Sequence, residues 1–224
     1  MNILERQSNE NARAYAYRVL LYNITSLEFK PGDSISEKDI APALGLSRTP
    51  VREALMELAK NGLVNIIPQK GSYISKIDFS IIEESRFLRL TVERAIIKLA
   101  CEQISDDYII ELKKNLMHQE LSINTDDVSV LIDLDNEFHK LLFEAVNKQW
   151  SYGLISSQMV YFDRYRFLIQ KTLKRGDILS DHKALLDAIL NHDYKTADAI
   201  ISQHLGNKSI EKDSIISLYP DYFV

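Results

Sequence analysis

Beyond Asp78 the apolar residues recur at helical spacing almost to the end of the chain, and no alternating pattern typical of a strand interrupts them. Glycine is also scarce there, so little in the sequence would break the helices. Amphipathic helices bury their apolar faces against one another, and this part of the chain therefore predicts an all-α helical bundle. The predicted helices cover residues 80–101, 105–121, 126–146, 150–175, 180–191 and 193–206.

Local signals indicate where these helices begin and end. Ser80 with Glu83 is typical of an N-terminal capping box, and Ser105 precedes two aspartates at another predicted helix start. NTDD near residue 124 and KRGDILSD near residue 174 indicate connecting loops. Asn147 is predicted to end its helix in the left-handed conformation.

The first 77 residues are organised differently. ENARAYAYRVLLYNITSLEF has apolar residues at helical spacing and predicts a first helix. A Pro-Gly turn follows, and Ser36 with Asp39 resembles a capping box for a short second helix that ends at Leu44. A third helix is expected after a Gly-Leu turn, with Ser47 or Thr49 as its cap.

The third helix is predicted to end at Asn61-Gly62, and two β-prone runs follow it, LVNIIP and GSYISK. Pro-Gln-Lys-Gly joins these runs, which predicts a two-stranded hairpin. A helix, a helix-turn-helix and a hairpin in this order indicate a winged helix-turn-helix domain. We therefore expect a mainly α fold with a DNA-binding domain over residues 1–77 and a helical domain over residues 78–224.

Charge is distributed unevenly along the chain. The net charge is -5, but residues 1–76 carry 10 basic against 8 acidic side chains, and the rest carries 17 against 24. The excess of +2 in the first part permits contact with nucleic acid without requiring it. Whether this part of the chain binds nucleic acid must therefore be judged from the positions of its basic residues.

Composition favours a soluble cytoplasmic protein. No apolar run is long enough to span a membrane, and the first twenty residues lack the pattern of an export signal. The single cysteine, Cys101, lies in the apolar run AIIKLAC and is expected to be a buried small residue.

The stretch SRTPVREAL, residues 47–55, places two arginines four residues apart at the start of the third helix. Recognition helices contact base edges with residues near their N-terminus, and arginine can pair with guanine O6 and N7. Arg48 and Arg52 are therefore candidates for reading bases, and the Ser47 and Thr49 hydroxyls for binding phosphate. Lys38 and Lys70 would extend the contact surface. The alternative is that these residues are only solvated surface charges.

The sequence PGDSISEKDIAPALGLSRTPVREALMELAKNGLVNIIPQKGSYI resembles the DNA-binding domain of the GntR family of bacterial transcription regulators. The resemblance implies DNA contacts by Lys38, Arg48, Thr49 and Arg52, with Ser47 nearby and Gly71 letting the hairpin approach the minor groove. Gln-Lys stands in the hairpin where many relatives have an arginine, so Lys70 is expected to contact phosphate only.

In the helical domain, Asp135 and His139 lie four residues apart on one predicted helix, so both side chains project from the same face. They could bind one ion together, or Asp135 could simply hydrogen-bond His139 inside the bundle. His182 and His204 lie on two other amphipathic helices, and a bundle could bring both inward to complete an Asp-His₃ set. Such ligands suit zinc, and also nickel, iron or manganese.

These positions also resemble the FCD effector domain found in one GntR subgroup. The resemblance rests on RLTVE at 89–93, D-x-x-x-H with AVN at 135–147, D-H-x-x-L-x-x-A-I at 181–189 and A-x-x-x-I-x-x-H-L at 197–205. It implies that the four residues named above are metal ligands, that Arg89 faces the same cavity, and that a small organic acid is the effector. His118 and His192 fall outside the pattern.

A second arginine is expected beside Arg89. Arg164 and Arg166 both lie in YFDRYRFLIQ, and we assign Arg164 to the effector site. The alternative, that both are exposed charges between core aromatic residues, stays open.

The resulting hypothesis is a repressor that binds a palindromic operator as a homodimer and responds to a carboxylate effector. Two alternatives remain at this point: a metal-dependent hydrolase, and a DNA-binding regulator whose metal is purely structural. The hydrolase lacks support from any HExxH helix or glycine-rich phosphate loop. The apolar residues of the tail, 208–224, suggest docking against a surface of this chain or of a partner.

Overall fold

A computed structural model of the chain describes residues 1–125, 127–172, 176–206 and 209–224. Most of these residues are helical, which confirms the mainly α fold. The helices are α1 (Ala12–Thr25), α2 (Glu37–Ala43), α3 (Arg48–Lys60), α4 (Phe79–Glu102), α5 (Asp106–Ser122), α6 (Val128–Ala145), α7 (Gln149–Thr172), α8 (Gly176–Leu190), α9 (Tyr194–Leu205) and α10 (Ser209–Leu218). The strands are β1 (Ser34–Ile35), β2 (Val64–Ile67) and β3 (Gly71–Ile74).

The chain forms two compact units. The first contains Met1–Phe79, Asp163–Tyr165 and Ile216–Val224, and the second contains Ser80–Phe162 and Arg166–Ile215. The first unit therefore includes three residues of α7 and the end of the chain in addition to its N-terminal residues.

Capping residues begin the helices of the first unit. Asn11 accepts a hydrogen bond from the Ala14 amide at 2.9 Å and starts α1. Ser36 accepts one from the Lys38 amide at 3.2 Å and starts α2. Ser47 lies at the cap position of α3, but its side chain makes no capping hydrogen bond. Ser47 is thus confirmed as the cap residue of α3, but its exposed side chain does not make the hydrogen bond that a capping hydroxyl usually makes.

A tight turn between α2 and α3 sets the helix-turn-helix. Gly45 has φ +64, a left-handed backbone conformation that glycine adopts without strain. The Leu46 amide then donates to the Ala41 carbonyl at 2.9 Å and closes the turn. Behind the turn, Val51 and Leu58 of α3 are fully buried in the core of this unit.

The hairpin belongs to a three-stranded antiparallel sheet of order β1-β3-β2. Val64 pairs with Ile74 in the hairpin, and Ile35 of β1 pairs with Ser72 on the other edge of β3. The expectation of two strands was therefore incomplete. A strand of only two residues is too short to show an alternating pattern, and the sequence alone could not have revealed it.

The end of the chain docks on the segment that follows the hairpin, within the first unit. The Ile77 amide donates to the Tyr222 carbonyl at 2.8 Å, and the Val224 amide donates back to the Ile77 carbonyl at 3.2 Å. The Phe223 ring stacks on Phe79 with centroids 4.9 Å apart. The predicted docking of the tail is confirmed for residues 216–224, and the surface it covers belongs to this chain.

Two helices of the second unit begin earlier than predicted. α4 starts at Phe79, so Ser80 lies inside its first turn and is not its cap. α8 starts at Gly176, so residues 176–181 of the predicted KRGDILSD loop are helical. Apolar Ile178 continues the helical spacing of this segment toward the N-terminus, which explains the longer helix. The predicted positions 126, 173–175 and 207–208 lie outside the described residues.

Other predictions for the second unit are confirmed. Asn147 has φ 57 and ends α6 in the left-handed region. Cys101 is buried and forms no disulfide.

No helix in the described ranges has an apolar stretch long enough to cross a membrane.

Replacing Phe223 with alanine should loosen the docked tail, because it removes a 6% exposed ring from its stack on Phe79. A buried Phe→Ala change costs about 3–5 kcal/mol of packing. We expect faster hydrogen exchange at the Ile77 amide, measured by mass spectrometry, and unchanged exchange in α3. Leu218→Ala, which truncates a 61% exposed side chain, is the matched control. Unchanged exchange at Ile77 in Phe223→Ala would contradict the docking contact.

Candidate functional site

The first unit presents an exposed basic surface around the start of α3. Arg48 is the first residue of this helix, where the positive end of the helix dipole also favours phosphate. Lys38 lies in the first turn of α2, and Lys70 and Gly71 lie where the hairpin turns. All seven residues predicted to contact DNA are exposed: Lys38, Ser47, Arg48, Thr49, Arg52, Lys70 and Gly71.

Two residues of the hairpin turn, Gln69 and Gly71, have positive φ angles. Gly71 has φ +117, a conformation that other residues rarely adopt, and no atom would crowd a side chain there. Gln69 has φ 63, so the turn also holds a non-glycine residue in the left-handed region. Lys70 projects from this turn and is exposed.

In the second unit, the four predicted metal ligands come together in one cluster. Asp135 and His139 lie one turn apart on α6, His182 lies on α8, and His204 lies in the last turn of α9. One donor atom from each of the four lies within 4.8 Å of all the others. The side chains are nearly inaccessible, with His182 at 0% and His139 at 2% exposure.

The distances between donor atoms suit a shared ion. The Nε2 atom of His204 lies 3.3 Å from Nε2 of His139 and 3.3 Å from Nε2 of His182. The Asp135 Oδ1 atom lies 3.5–4.0 Å from the three nitrogens. Ligands at about 2.0–2.2 Å from one ion lie roughly 3.0–3.5 Å apart when adjacent. The cluster is therefore only slightly wider than an ion would require.

Each imidazole is oriented by an acceptor on its other nitrogen. His139 Nδ1 lies 2.5 Å from Glu93 Oε2, His182 Nδ1 lies 3.0 Å from Gln119 Oε1, and His204 Nδ1 lies 3.2 Å from Asp181 Oδ2. An imidazole that donates its Nδ1 hydrogen to such an oxygen presents an unprotonated Nε2. All three Nε2 lone pairs then point into the same small volume.

Burial keeps two of these rings neutral. It lowers the pKa of His139, despite the opposing effect of Glu93, and it lowers the pKa of His182 well below the ordinary value. Burial tends to raise the pKa of Glu93, but contacts with His139 and Arg89 outweigh it and lower this pKa to about 2. The His139 and His182 rings are therefore acceptors near neutral pH, and the Glu93 carboxylate is charged.

Asp135 is held by two arginines. Arg166 donates from Nη2 to Asp135 Oδ2 and from Nη1 to Asn136 Oδ1 at 2.7 Å. Arg89 Nη2 lies 3.8 Å from Oδ2, and Arg89 Nε donates to Glu93 Oε1 at 2.6 Å. Burial tends to raise the pKa of Asp135, but Arg166 and the other charges keep it below its ordinary value. Oδ2 is thus occupied by arginine, while Oδ1 faces the three nitrogens.

The donor chemistry fits a divalent cation. Three imidazole Nε2 lone pairs and one carboxylate oxygen repel one another at these separations, and a cation among them would remove that repulsion. The set would suit zinc, and equally nickel, iron or manganese, because imidazole and carboxylate select weakly among them.

A cavity of about 350 Å³ opens beside the cluster. This is within the size range of small-molecule sites, roughly 300–1,000 Å³. Asp135 and His204 line it, so the donor set is reachable from the cavity. The remaining charged lining residues are Arg86, Arg89, Arg166, Asp177 and Asp181, with Phe162, Ile169, Ile178 and Leu205 among the apolar ones.

The structure does not bring Arg164 to this cavity, and its assignment to the effector site is wrong. Arg164 is 2% exposed and donates from Nη1 to the Ser75 carbonyl within the first unit. Arg166 lines the cavity in its place. Residues two apart on a helix point roughly 200° away from each other, so only one of this pair could face the site.

The sequence did not identify the acceptors behind the histidines. Glu93 lies in the RLTVE motif and Asp181 directly precedes His182, so both had a signal beside a recognised residue. Gln119 on α5 had none. His118 is exposed, and His192 donates from Nδ1 to the Cys101 carbonyl at 2.6 Å, which gives it a structural role.

Comparison with known proteins places these features in two described families. Residues 13–74 match the model described as "Bacterial regulatory proteins, gntR family", and residues 84–207 match the model described as "FCD domain". The matched segments contain the helix-turn-helix and all four residues of the cluster.

Individual proteins agree with this. The chain is 30% identical over 208 residues to the HTH-type transcriptional repressor RspR of Escherichia coli (strain K12), covering 92% of this chain and 91% of the relative. It is 24% identical to the Uxu operon transcriptional regulator of the same organism, covering 90% of this chain and 88% of that one. The solved structure of E. coli McbR/YncC shares the fold, with a TM-score of 0.74 at 19% identity over 95% and 99% of the two chains. These relatives are regulators, and the hydrolase alternative is set aside.

Replacing His182 with alanine should abolish stable binding of a divalent ion, because it removes a fully buried ligand atom from the set of four. We expect one zinc per chain in the wild type after loading and dialysis, and a residual content near zero in the variant, measured by elemental analysis. His118→Ala removes an exposed imidazole and is the matched control. An unchanged zinc content in His182→Ala would remove this residue from the ligand set.

Proposed function

Because the chain belongs to the GntR family of DNA-binding transcriptional regulators and carries an FCD domain, we propose that it is a repressor controlled by a small carboxylate effector. Residues 1–77 bind the operator, and residues 78–224 bind the effector and form the dimer. The observation that carries the proposal is the buried Asp-His₃ cluster that opens into a cavity lined by arginines.

DNA is read by α3 in the major groove. Arg48 and Arg52 contact base edges, Ser47 and Thr49 contact phosphate, and Lys38 adds a further backbone contact. Lys70 and Gly71 bring the hairpin to the adjacent minor groove. The exposure of all seven residues supports this arrangement, since none must be uncovered before DNA can bind.

The cluster holds a divalent metal ion, which we take to be zinc. Asp135 supplies Oδ1, and His139, His182 and His204 supply Nε2. When bound, the ion supplies positive charge and free coordination positions at the cavity wall, to which a carboxylate is attracted. Arg166 keeps the Asp135 carboxylate turned toward the imidazoles, and the Glu93, Gln119 and Asp181 oxygens keep the rings in place.

The effector is a small organic acid, such as a hydroxy acid, sugar acid, dicarboxylate or amino-acid derivative. Three arginines and three aspartates line the cavity, so a divalent cation leaves the lining net positive and favours an anion. Arg89 and Arg86 are placed to bind the part of the acid that does not reach the metal. The apolar lining residues favour a ligand with a short carbon chain.

Regulation follows from the difference in effector affinity between the DNA-bound and free arrangements of the protein. We propose that effector and operator oppose each other, so that ligand relieves repression; the relative RspR is named a transcriptional repressor. We also propose a cytoplasmic homodimer, and exposed apolar side chains support the dimer, with Phe87 at 70% on α4 and Trp150 at 78% on α7. A symmetric dimer would bind a palindromic operator with one α3 in each half-site.

If Arg48 reads a guanine, Arg48→Ala should relax base preference at one position of each half-site by about 5- to 150-fold, the worth of one bidentate pair. The measurement is competition binding with duplexes that differ at single positions. Lys60→Ala, at the far end of α3, removes one positive charge and serves as the control. An equal loss of affinity for every sequence would reduce Arg48 to a phosphate contact.

Zinc-loaded protein should melt at a higher temperature when its effector class is present, because the ligand binds only the folded state. At a hundred times its Kd a ligand adds about 2.7 kcal/mol, enough for a rise of several degrees. The probes are malate, succinate, gluconate and glutamate. Arg89→Gln should lose the rise measured against its own baseline, and Arg94→Gln, an exposed arginine on the same helix, should keep it.

The same experiment separates the effector role from a purely structural metal. Chelation that lowers the melting temperature, combined with no rise for any acid and no effect of Arg89→Gln, would assign the ion to folding alone.

A further inference from the structure

The two arginines at the start of α3 differ in how they are held. Arg52 donates from Nε to Glu37 Oε2 at 2.8 Å and from Nη2 to Glu37 Oε1, so the guanidinium and the carboxylate form a two-bond pair. Glu37 is the first residue of α2. Arg48 lies one turn before Arg52 and has no carboxylate within 4.0 Å in the described part of the chain. One arginine is thus fixed to the neighbouring helix, and the other is not.

The pair with Glu37 leaves part of the Arg52 guanidinium free to donate hydrogen bonds to a base. Its side chain is 66% exposed, against 22% for Glu37, so the carboxylate lies behind the guanidinium. A guanidinium has five N–H donors, and the two bonds to Glu37 use the Nε hydrogen and one of the Nη2 hydrogens. The Nη1 hydrogens and the second Nη2 hydrogen remain, and two donors are what guanine O6 and N7 accept.

Fixing the side chain also changes the cost of binding. A free arginine has about 2 kcal/mol of rotamer entropy, part of which is lost when it binds a base. In this protein Glu37 has already restricted Arg52 before DNA arrives. The hydrogen bond from Arg52 lowers the pKa of Glu37, so the carboxylate stays ionised near neutral pH. The negative charge of Glu37 also repels a nearby phosphate, which weakens binding of α3 to DNA of any sequence.

We propose that Glu37 is a positioning residue for DNA reading: it holds the Arg52 guanidinium in the orientation that accepts guanine and thereby sets specificity at one base position. The inference rests on the proposed function, since it requires α3 to lie in the major groove. It assigns a role to an acidic residue on the DNA-binding face, where acidic residues would otherwise only weaken binding. Arg48 interacts with Glu37 only through its charge and without a hydrogen bond, so the base preference at the Arg48 position should not change when Glu37 is replaced.

The test compares full-length wild type, Glu37→Gln, Arg52→Ala and Glu57→Gln. Glu57→Gln removes the same charge from the other end of α3, where Glu57 lies 3.8 Å from Arg13. Each protein selects sequences from a randomised DNA duplex library, and competition binding with duplexes that differ at one position then gives the preference for each base. Circular dichroism checks that each variant is folded.

We expect Glu37→Gln to lower the preference for guanine by about 2- to 10-fold at the position that Arg52→Ala erases, the cost of ordering one long side chain. Preference at all other positions should match the wild type, and affinity for random DNA should stay equal or rise. Glu57→Gln should leave every preference unchanged.

Three results would overturn the inference alone, and a fourth would overturn the proposed function with it. Unchanged preferences in Glu37→Gln would mean that the pair is only a surface ion pair. An equal loss of base preference at every position would mean that Glu37 stabilises the domain as a whole and does not act on Arg52 specifically. A uniform gain in affinity without a change in preference would mean that Glu37 competes with DNA for the arginine. If the wild type selects no sequence at all, the DNA-reading function itself fails, and the inference fails with it.

Discussion

Three imidazole nitrogens and one carboxylate oxygen lie close together in the second unit, shielded from water. Their neighbours hold them in that arrangement, because Glu93, Gln119 and Asp181 take the Nδ1 hydrogens and leave the Nε2 lone pairs turned inward. Such a group is unfavourable by itself and favourable around a cation. The proposed sensing function depends on this, since a bound cation is what makes a cavity with balanced arginines and aspartates attractive to an anion.

In the DNA-binding unit, too, a hydrogen-bonding partner orients a side chain that is proposed to bind a ligand. There the arginines are exposed, so each guanidinium can adopt several orientations unless a partner restricts it. The Glu37–Arg52 pair orients one guanidinium in the same way that acceptors orient the histidines: a partner binds one side of the group and leaves the other side available. In both places a second residue fixes the orientation of the first by hydrogen bonding. The docked tail, which pairs with Ile77 just before α4, completes this unit from the far end of the chain.

The sequence was sufficient for features that depend on local patterns. Capping residues, the turn at Gly45 and helical spacing indicated the winged helix-turn-helix and the bundle, and the spacing of Asp135 and His139 indicated a shared face. Features formed by distant residues were not accessible. Glu93 lies 46 positions from His139 and Gln119 lies 63 from His182, and no local pattern connects such partners. The choice between Arg164 and Arg166 failed because aromatic residues flank both, so periodicity did not show which one faces the cavity.

The most direct test of the account is a crystal structure of zinc-loaded protein with anomalous data collected on both sides of the zinc absorption edge. We predict one anomalous peak in each chain, at about 2.0–2.2 Å from Asp135 Oδ1 and from the Nε2 atoms of His139, His182 and His204. Electron density for a bound acid next to this peak and within reach of Arg89 would agree with the proposed effector position. A cluster without a peak, its imidazoles linked by hydrogen bonds or by water, would contradict the central claim.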